Sequence, residues 1–342
     1  MKLSDFRYEL PEEFIAQYPV EKRDHSALMV INRAKSKIEH TRFDKIFSYL
    51  NSGDCMVVNE TKVFPARLTG TKDKTDAVVE VFLLRELEND LWEVLVKPAR
   101  KVRVGNRLTI GDKLVCDVID NTVSGGRVVR FSYDGDFYEI VEQIGKAPLP
   151  PNINREPEPQ DKDRYQTIFA RYRGAVAAPT AGMHFTNTLL KKIKKRGVQI
   201  VPVLLHLGQG SYRPVLVEDL SRHKMDSEYF EVSAEAVTII NDVKKKKGKI
   251  VAVGASAVRA LESAVTSEGW AKPISGWTDK FIYPPYEFKI VDQLITNLHL
   301  PNTTLLMLVS AFAGRDFILK AYREAMEKNY RFYSYGDAMY LQ

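Results

Sequence analysis

The sequence predicts an α/β protein. The expected form is a three-layer α/β/α sandwich on a mostly parallel sheet, with a small β-barrel inserted into it. Three observations carry this. After residue 165, helical stretches stop at glycine and give way at once to β-type runs. Between about Val63 and Phe131, short β-type runs recur at close spacing. Five of the strands expected in the α/β part end in polar or glycine-rich loops.

The bulk figures fit that class. At 342 residues the chain has room for two domains, and 44% apolar with 27% charged residues is ordinary for a globular protein. The net charge of +6 favours a polyanionic partner without specifying one. Cys55 and Cys116, the only two cysteines, lie in apolar runs and read as buried thiols of a reducing compartment. They enter no metal-ligand spacing, so neither a metal nor a prosthetic group is expected. Met1 to Glu13 is too acidic and polar for a signal peptide, and the apolar run Thr304 to Ala313 is too short to span a bilayer. The expectation is a cytoplasmic monomer with no membrane contact.

Within residues 1–62, Asp5 to Gln17 carries a short helical pattern, and Leu28–Ile31 and Met56–Val58 read as strands. The barrel runs are Val63–Leu68, Val78–Leu84, Leu91–Val96, Leu108–Ile110, Leu114–Ile119 and Val128–Phe131. Turn signals such as Gly105-Asn106 and Ser124-Gly-Gly126 separate them. Pro148 to Gln160, with its prolines, reads as a linker back to the first domain. The expected division is therefore a discontinuous α/β domain, 1–62 and 155–342, interrupted by a barrel with its linker at 63–154. In the last part, helix Asn187–Arg196 precedes strand Val198–Leu205. Helix Ala234–Lys247 precedes strand Ile250–Val253 and helix Ala257–Thr266. Strands Lys280–Tyr283 and Gln293–Thr296 lead to helix Thr303–Gly314.

The unusual polar residues follow these strands. Small, uncharged Ala175–Ala178 reads as a buried strand running into Pro179–Gly182 and His184. Strand Val201–Leu205 runs into His206-Leu-Gly208-Gln-Gly210, and Ile250–Val253 into Gly254-Ala-Ser256. Strand Lys280–Ile282 runs into Tyr283-Pro-Pro, and Gln293–Thr296 into His299-Leu-Pro301. If the strands are parallel, these loops open on one edge, where α/β sheets bind ligands. Three of the six histidines sit in such loops, in a range where imidazole works as acid or base. A lone loop histidine is more often structural; the convergence is what argues for a site. Ser256 is either a plain N-cap or part of a helix terminus that attracts a carboxylate. Arg259 either pairs with Glu262 one turn on or holds a ligand carboxylate. In His223-Lys-Met-Asp226-Ser-Glu228 a metal is rejected for want of further ligands, leaving an acid/base or cation-holding pair or a solvated loop. No nucleophile elbow, Gly-x-Gly-x-x-Gly or P-loop occurs.

From Asp5-Phe6 to Asp337-Ala-Met339 the chain resembles the S-adenosylmethionine:tRNA ribosyltransferase-isomerases of queuosine biosynthesis. The resemblance rests on Leu10-Pro11, Pro65-Ala-Arg67-Leu68, Tyr165-Gln-Thr167, Ala177-Ala-Pro-Thr-Ala-Gly182 and His184-Phe-Thr186. It also rests on His206-x-Gly208-x-Gly210, Val258-Arg259-Ala-Leu-Glu262, Phe281-Ile-Tyr283-Pro284, Thr296-Asn297-x-His299-Leu-Pro301 and Leu305 to Gly314. It implies an α/β sandwich with an inserted β-barrel. It also implies transfer and isomerisation of the ribosyl group of S-adenosylmethionine onto 7-aminomethyl-7-deazaguanine at the tRNA wobble position. Epoxyqueuosine forms, and adenine and methionine leave; S-adenosylmethionine is a co-substrate and tRNA the macromolecular partner.

On that resemblance His184, His206, His299, Asp226 and Glu228 are the catalytic candidates. Thr180, Gly182, Gly208, Gly210, Ser256, Arg259, Tyr283 and Asn297 are the substrate-binding ones. Lys97, Arg100, Lys101 and Arg103 are the candidates for RNA contact. A sulfonium acidifies its neighbouring C–H, adenine leaves with a proton, and the attacking amine must be neutral, all within reach of histidine. The chain departs from the family at Asp226, where histidine is usual, and at Ala255, where threonine is. It departs also at Lys62, Leu298 and Pro285. The first two departures motivate a second reading, a non-catalytic tRNA-binding relative; a third is a nucleoside-cleaving enzyme of small molecules.

Overall fold

The computed structural model describes residues 1–123, 125–208, 210 and 214–342. Ser124 of the expected barrel turn and Gln209 of the loop after His206 lie outside them.

The chain opens with single turns of 3-10 helix at Leu3–Phe6 and Glu12–Phe14, then the hairpin β1 (Ala27–Asn32) and β2 (Lys37–Arg42). Next come β3 (Cys55–Asn59) and the short β4 (Thr61–Val63). The barrel strands are β5 (Arg67–Lys72), β6 (Val78–Glu88), β7 (Leu91–Lys97), β8 (Arg107–Ile110), β9 (Leu114–Asn121) and β10 (Arg127–Ser132). They close in the order β10-β7-β6-β5-β8-β9 around a core that includes Leu68, Trp92, Leu108 and Phe131. Helix α1 (Phe137–Ile144), capped by Asp136, packs Phe137, Ile140 and Val141 against that core.

After the single turn α2 (Asp161–Arg164), β11 (Tyr172–Ala175) pairs in parallel with β4, away from the large sheet. There follow α3 (Asn187–Lys195), β12 (Gln199–Leu205), β13 (Glu228–Val232), α4 (Ala234–Lys245), β14 (Ile250–Val253) and α5 (Gly254–Ser263). The chain ends with β15 (Ile274–Thr278), β16 (Gln293–Asn297), α6 (Thr304–Ala313), α7 (Arg315–Glu327) and β17 (Ala338–Leu341).

The large sheet runs β15-β13-β12-β3-β14-β16-β17-β1-β2. It is mixed. The centre, β12-β3-β14-β16, is parallel, and β17-β1 is a further parallel pair. The joins β15-β13, β13-β12, β16-β17 and β1-β2 are antiparallel. Successive side chains go to opposite layers: Cys55 and Val57 pack with α4 to α7, while Met56 and Val58 pack with α3 and the 3-10 segment Phe43–Tyr49. This alternation makes the three layers. No helix among the described residues is long and apolar enough to cross a membrane.

Several elements differ from expectation. The run Val63–Leu68 is two strands, because Pro65 has no N–H to pair and the chain leaves β4 there to start the barrel. The strand expected over residues 175–178 stops at Ala175. β4, the partner of β11, ends opposite that residue, the Val176 N–H turns instead to the Leu207 carbonyl at 3.0 Å, and Ala177 and Ala178 add little β preference of their own. Lys280–Tyr283 is not a strand either. Its place is taken by β15, whose register puts Thr278 opposite Glu228, the first residue of β13, so nothing remains to pair beyond it. Helix α5 begins at Gly254, not Ala257, since a φ of +84° at Gly254 turns the chain straight off β14.

The proline-bearing stretch 148–160 is packed down. Leu149 and Ile153 are buried, and Arg155 makes a two-pronged pair with buried Asp161 at 2.7 and 2.8 Å. Asp161 also accepts from the Tyr335 hydroxyl at 2.9 Å and the Glu158 N–H at 2.8 Å.

Candidate active site

Because β12, β3, β14 and β16 are parallel, their C-terminal ends meet at one rim. The antiparallel strands bring the start of β13, the end of β15 and the starts of β17 and β1 to that rim. From it β3 leads on to β4 and the barrel, whereas its neighbour β14 leads straight into α5, and strand ends whose connections diverge in this way leave a crevice between them. Asn59, at the end of β3, spans it. Its Nδ2 donates to the Leu205 carbonyl at 2.8 Å and to Ser256 Oγ at 3.0 Å, and its Oδ1 accepts from the Thr61 and Leu205 N–H groups. Ser256 is thus tied down inside the first turn of α5 and does not cap it; the cap position, Val253, offers no side-chain bond.

Each of the three loop histidines is held by a hydroxyl. His184 Nδ1 meets Ser26 Oγ at 2.8 Å, His206 Nδ1 meets Thr61 Oγ1 at 2.7 Å, and His299 Nε2 meets Thr296 Oγ1 at 3.0 Å. Burial drives all three pKa values down from the usual imidazole value: His184 to about 4, against the nearby Asn297 side chain that raises it, His299 to about 3, and His206 in the same direction. A hydroxyl does not offset the cost of charging an imidazole as a carboxylate would, so these rings are neutral at pH 7.

The consequence for stability has a definite sign. The unfolded chain protonates both buried rings near the usual histidine pKa of about 6.5. The folded chain takes up those protons only near 4 and 3. The unfolding free energy therefore drops as pH falls through that window, by about 1.4 kcal/mol per pH unit for each ring. Urea unfolding of wild type and of a His184→Gln/His299→Gln variant at pH 7 and pH 5 checks this: the wild type should lose more than the variant. Equal losses would mean the rings are not buried in neutral form.

Two cavities adjoin at the rim. A cleft of about 770 Å³ lies between the barrel and the sandwich, with His206, Gly208, Asp226, Glu228 and Tyr229 on one side and Leu84, Trp92 and Tyr138 on the other. That volume is typical of a ligand site. Behind it is an inner pocket of about 50 Å³, lined by Thr180, Gly254, Ser256, Arg259, Thr296 and His299 with Phe281 and Leu308. Leu207 and Met225 line both. Close packing shapes the outer wall: a Cβ on Gly174 would lie 2.6 Å from the His206 ring, and one on Gly210 2.5 Å from Asp226 Oδ2.

Glu228 and Arg259 form a buried pair at the seam. Arg259 Nη1 donates to Glu228 Oε2, and Glu228 Oε1 accepts from the Gly208 N–H at 2.8 Å. Burial pushes the Glu228 carboxyl up, and the guanidinium opposes this. Arg259 also donates to the Lys280 carbonyl at 3.1 Å and the Thr278 carbonyl at 3.2 Å. The expected alternative, pairing with Glu262, does not occur. Glu262 instead accepts from Tyr286 and from the N–H groups of Lys289, Ile290 and Val291, fixing the loop ahead of β16.

Other candidates lie elsewhere. His184 lines neither cavity; it is packed on the Phe43 ring and faces a separate small pocket beside Arg23 and Arg164. Asn297 is buried with its amide donated to the Tyr333 carbonyl, Gly182 is packed on Thr167, and Tyr283 is packed on Phe281. Lys97, Arg100, Lys101 and Arg103 are on the barrel surface and none lines the cleft. Asn59 and Thr61, which position the site, and Ser26, which holds His184 apart from it, carried no sequence signal because their partners are distant in the chain. Thr296 is three residues from His299 and stands within the motif quoted for it. Among the described residues no cluster of three or more His, Cys, Asp or Glu side chains is placed to hold a metal ion.

A large mixed sheet between helical layers, an inserted closed barrel and two adjoining cavities at the strand ends define the class of α/β sandwich to which the chain conforms. Comparison places the chain within it: residues 3–341 match the family described as queuosine biosynthesis protein, and the chain belongs to that family. A relative from Chloroherpeton thalassium, named S-adenosylmethionine:tRNA ribosyltransferase-isomerase, is 55% identical over the full length of both chains. One of the same name from Halothermothrix orenii is 53% identical, again over all of both. The crystal structure of S-adenosylmethionine tRNA ribosyltransferase from Thermotoga maritima shares 38% identity, covering 99% of this chain and 100% of that one, with a TM-score of 0.57.

Proposed function

We propose that the chain is an S-adenosylmethionine:tRNA ribosyltransferase-isomerase acting on 7-aminomethyl-7-deazaguanine at the wobble position, forming epoxyqueuosine and releasing adenine and methionine. The observation that supports this best is the pair of adjoining cavities, one wide and one narrow. The narrow pocket, at about 50 Å³, takes one end of S-adenosylmethionine, and the rest of the molecule lies in the cleft with the everted base. The N–H groups at the start of α5 suit the methionine carboxylate better than Arg259, whose charge is paired with Glu228 and whose three nitrogens each already donate.

His206, neutral and in the cleft, serves as a proton acceptor, for the acidic C–H beside the sulfonium or for the attacking amine. His299 sits in the inner pocket, where its ring reaches the co-substrate. Asp226 offers a carboxylate on the cleft side to offset the sulfonium, in a position where no proton donation is asked of it. Glu228 acts through Arg259 and Gly208 as a positioning group. Incubation with S-adenosylmethionine and tRNA bearing the deazaguanine should release adenine only when the tRNA is present. Release independent of tRNA, or tRNA retention without release, would refute the proposal.

A further inference from the structure

Three aromatic rings form a row along the cleft, one from each of three neighbouring chain segments. His206 follows β12, Tyr229 is on β13, and Trp277 is on the edge strand β15 directly opposite Tyr229 in the register. The His206 and Tyr229 rings are stacked at 6.0 Å, and Tyr229 and Trp277 meet edge to face at 5.9 Å. The alternation of the strands sends the Glu228 side chain to Arg259 and the Thr278 hydroxyl to Ser263 of α5, so this row is on the other face, toward the barrel. Trp277 is 59% exposed, an unusual state for the largest apolar side chain, and it lines the cleft. From the barrel, Arg85 brings its guanidinium to 5.9 Å from the Trp277 ring, its Nε donated to Glu93. Arg173, on β11, also lines the cleft and lies over Tyr138.

We propose that Trp277, with Tyr229 beneath its edge, is a stacking platform for one unpaired nucleotide of the RNA adjacent to the reacting base. Arg85 and Arg173 flank the strand's phosphates on the barrel side. This rests on the reading of the chain as a tRNA-modifying enzyme. The chemistry is that of single-stranded nucleic acid recognition: an open aromatic face takes any base, and arginines at its border take the backbone charge. A second protein chain would also bury a tryptophan. The guanidinium beside the ring, the net charge of +6 and the cleft that continues to His206 favour the nucleotide.

The test uses the full chain and a synthetic anticodon stem–loop RNA with guanine at the wobble position. Trp277→Ala should weaken RNA binding by about tenfold while leaving S-adenosylmethionine binding unchanged. Trp277→Phe, which keeps a flat ring, should stay within about threefold of wild type. Of the three tryptophans, Trp92 is buried in the barrel and Trp270 is half-buried against Lys244, away from the cleft. RNA should therefore quench the wild-type emission, and Trp277→Phe should lose that quenching. The proposal is overturned if Trp277→Ala binds the stem–loop as wild type does, or if Phe and Ala bind equally weakly with S-adenosylmethionine binding intact. If the wild type binds no stem–loop, the underlying reading fails. If it binds and turns over tRNA while Trp277→Ala does the same, the stacking role alone fails.

Discussion

Replacing Glu228 by alanine should lower the unfolding free energy by about 3–5 kcal/mol, the usual cost of leaving one partner of a buried ion pair alone. Arg259 is about as inaccessible as its partner, at 5% and 3% side-chain exposure, and its other contacts are the carbonyls of Thr278 and Lys280, which do not neutralise it. The same change releases the Gly208 N–H at the lip of the cleft. A Glu228→Met/Arg259→Met double variant should recover most of the stability, because a well-packed apolar pair replaces two charges that both had to be desolvated. It should not recover turnover, because Gly208 stays unheld. Urea unfolding of the single and double variants reads the first effect and adenine release the second. A loss under about 1 kcal/mol in Glu228→Ala would mean that water reaches the guanidinium.

His206→Ala should slow adenine release by about 10²–10⁴-fold, the range for removing a general acid–base group. Binding of S-adenosylmethionine should fall far less than the rate, because the inner pocket that takes one end of it does not include His206. His206→Gln keeps a polar contact for Thr61 but cannot carry the proton, so it should be as slow as alanine. Burial holds the His206 pKa below its usual value, so the wild-type rate should be flat near neutral pH and fall on acidification. His184 provides the contrast. It lies outside both cavities, so His184→Ala should reduce stability more than turnover. Normal turnover in His206→Ala would remove this ring from the mechanism.

The sequence makes the layers legible for a physical reason. Strand alternation, glycine stops and short barrel runs are local signals, and β1, β3, β12, β14 and β16 fall within a residue or two of their apolar runs. What local signals lack is the partner. Ala175–Ala178 and Lys280–Tyr283 read as strands from their apolar runs, and the ends of β4 and β13 decide against both. The same holds at the site. The histidines are visible as residues that follow strands, whereas Ser26, Asn59 and Thr61 matter through bonds to His184, Leu205 and His206, far along the chain. Arg259 shows the limit most directly: Glu262, one turn away, is the obvious mate, yet Glu228 from a neighbouring strand takes that place.

The knot of Arg155, Asp161 and Tyr335 bears on how this architecture can be re-engineered. It ties the return crossing from the barrel to the segment just before the final strand, so a barrel swap whose downstream join falls beyond Arg155 strands a carboxylate in the interior. A chimera joined upstream, between Lys146 and Pro148, keeps that knot whole and lets a foreign barrel be grafted while the sandwich retains its own fastening.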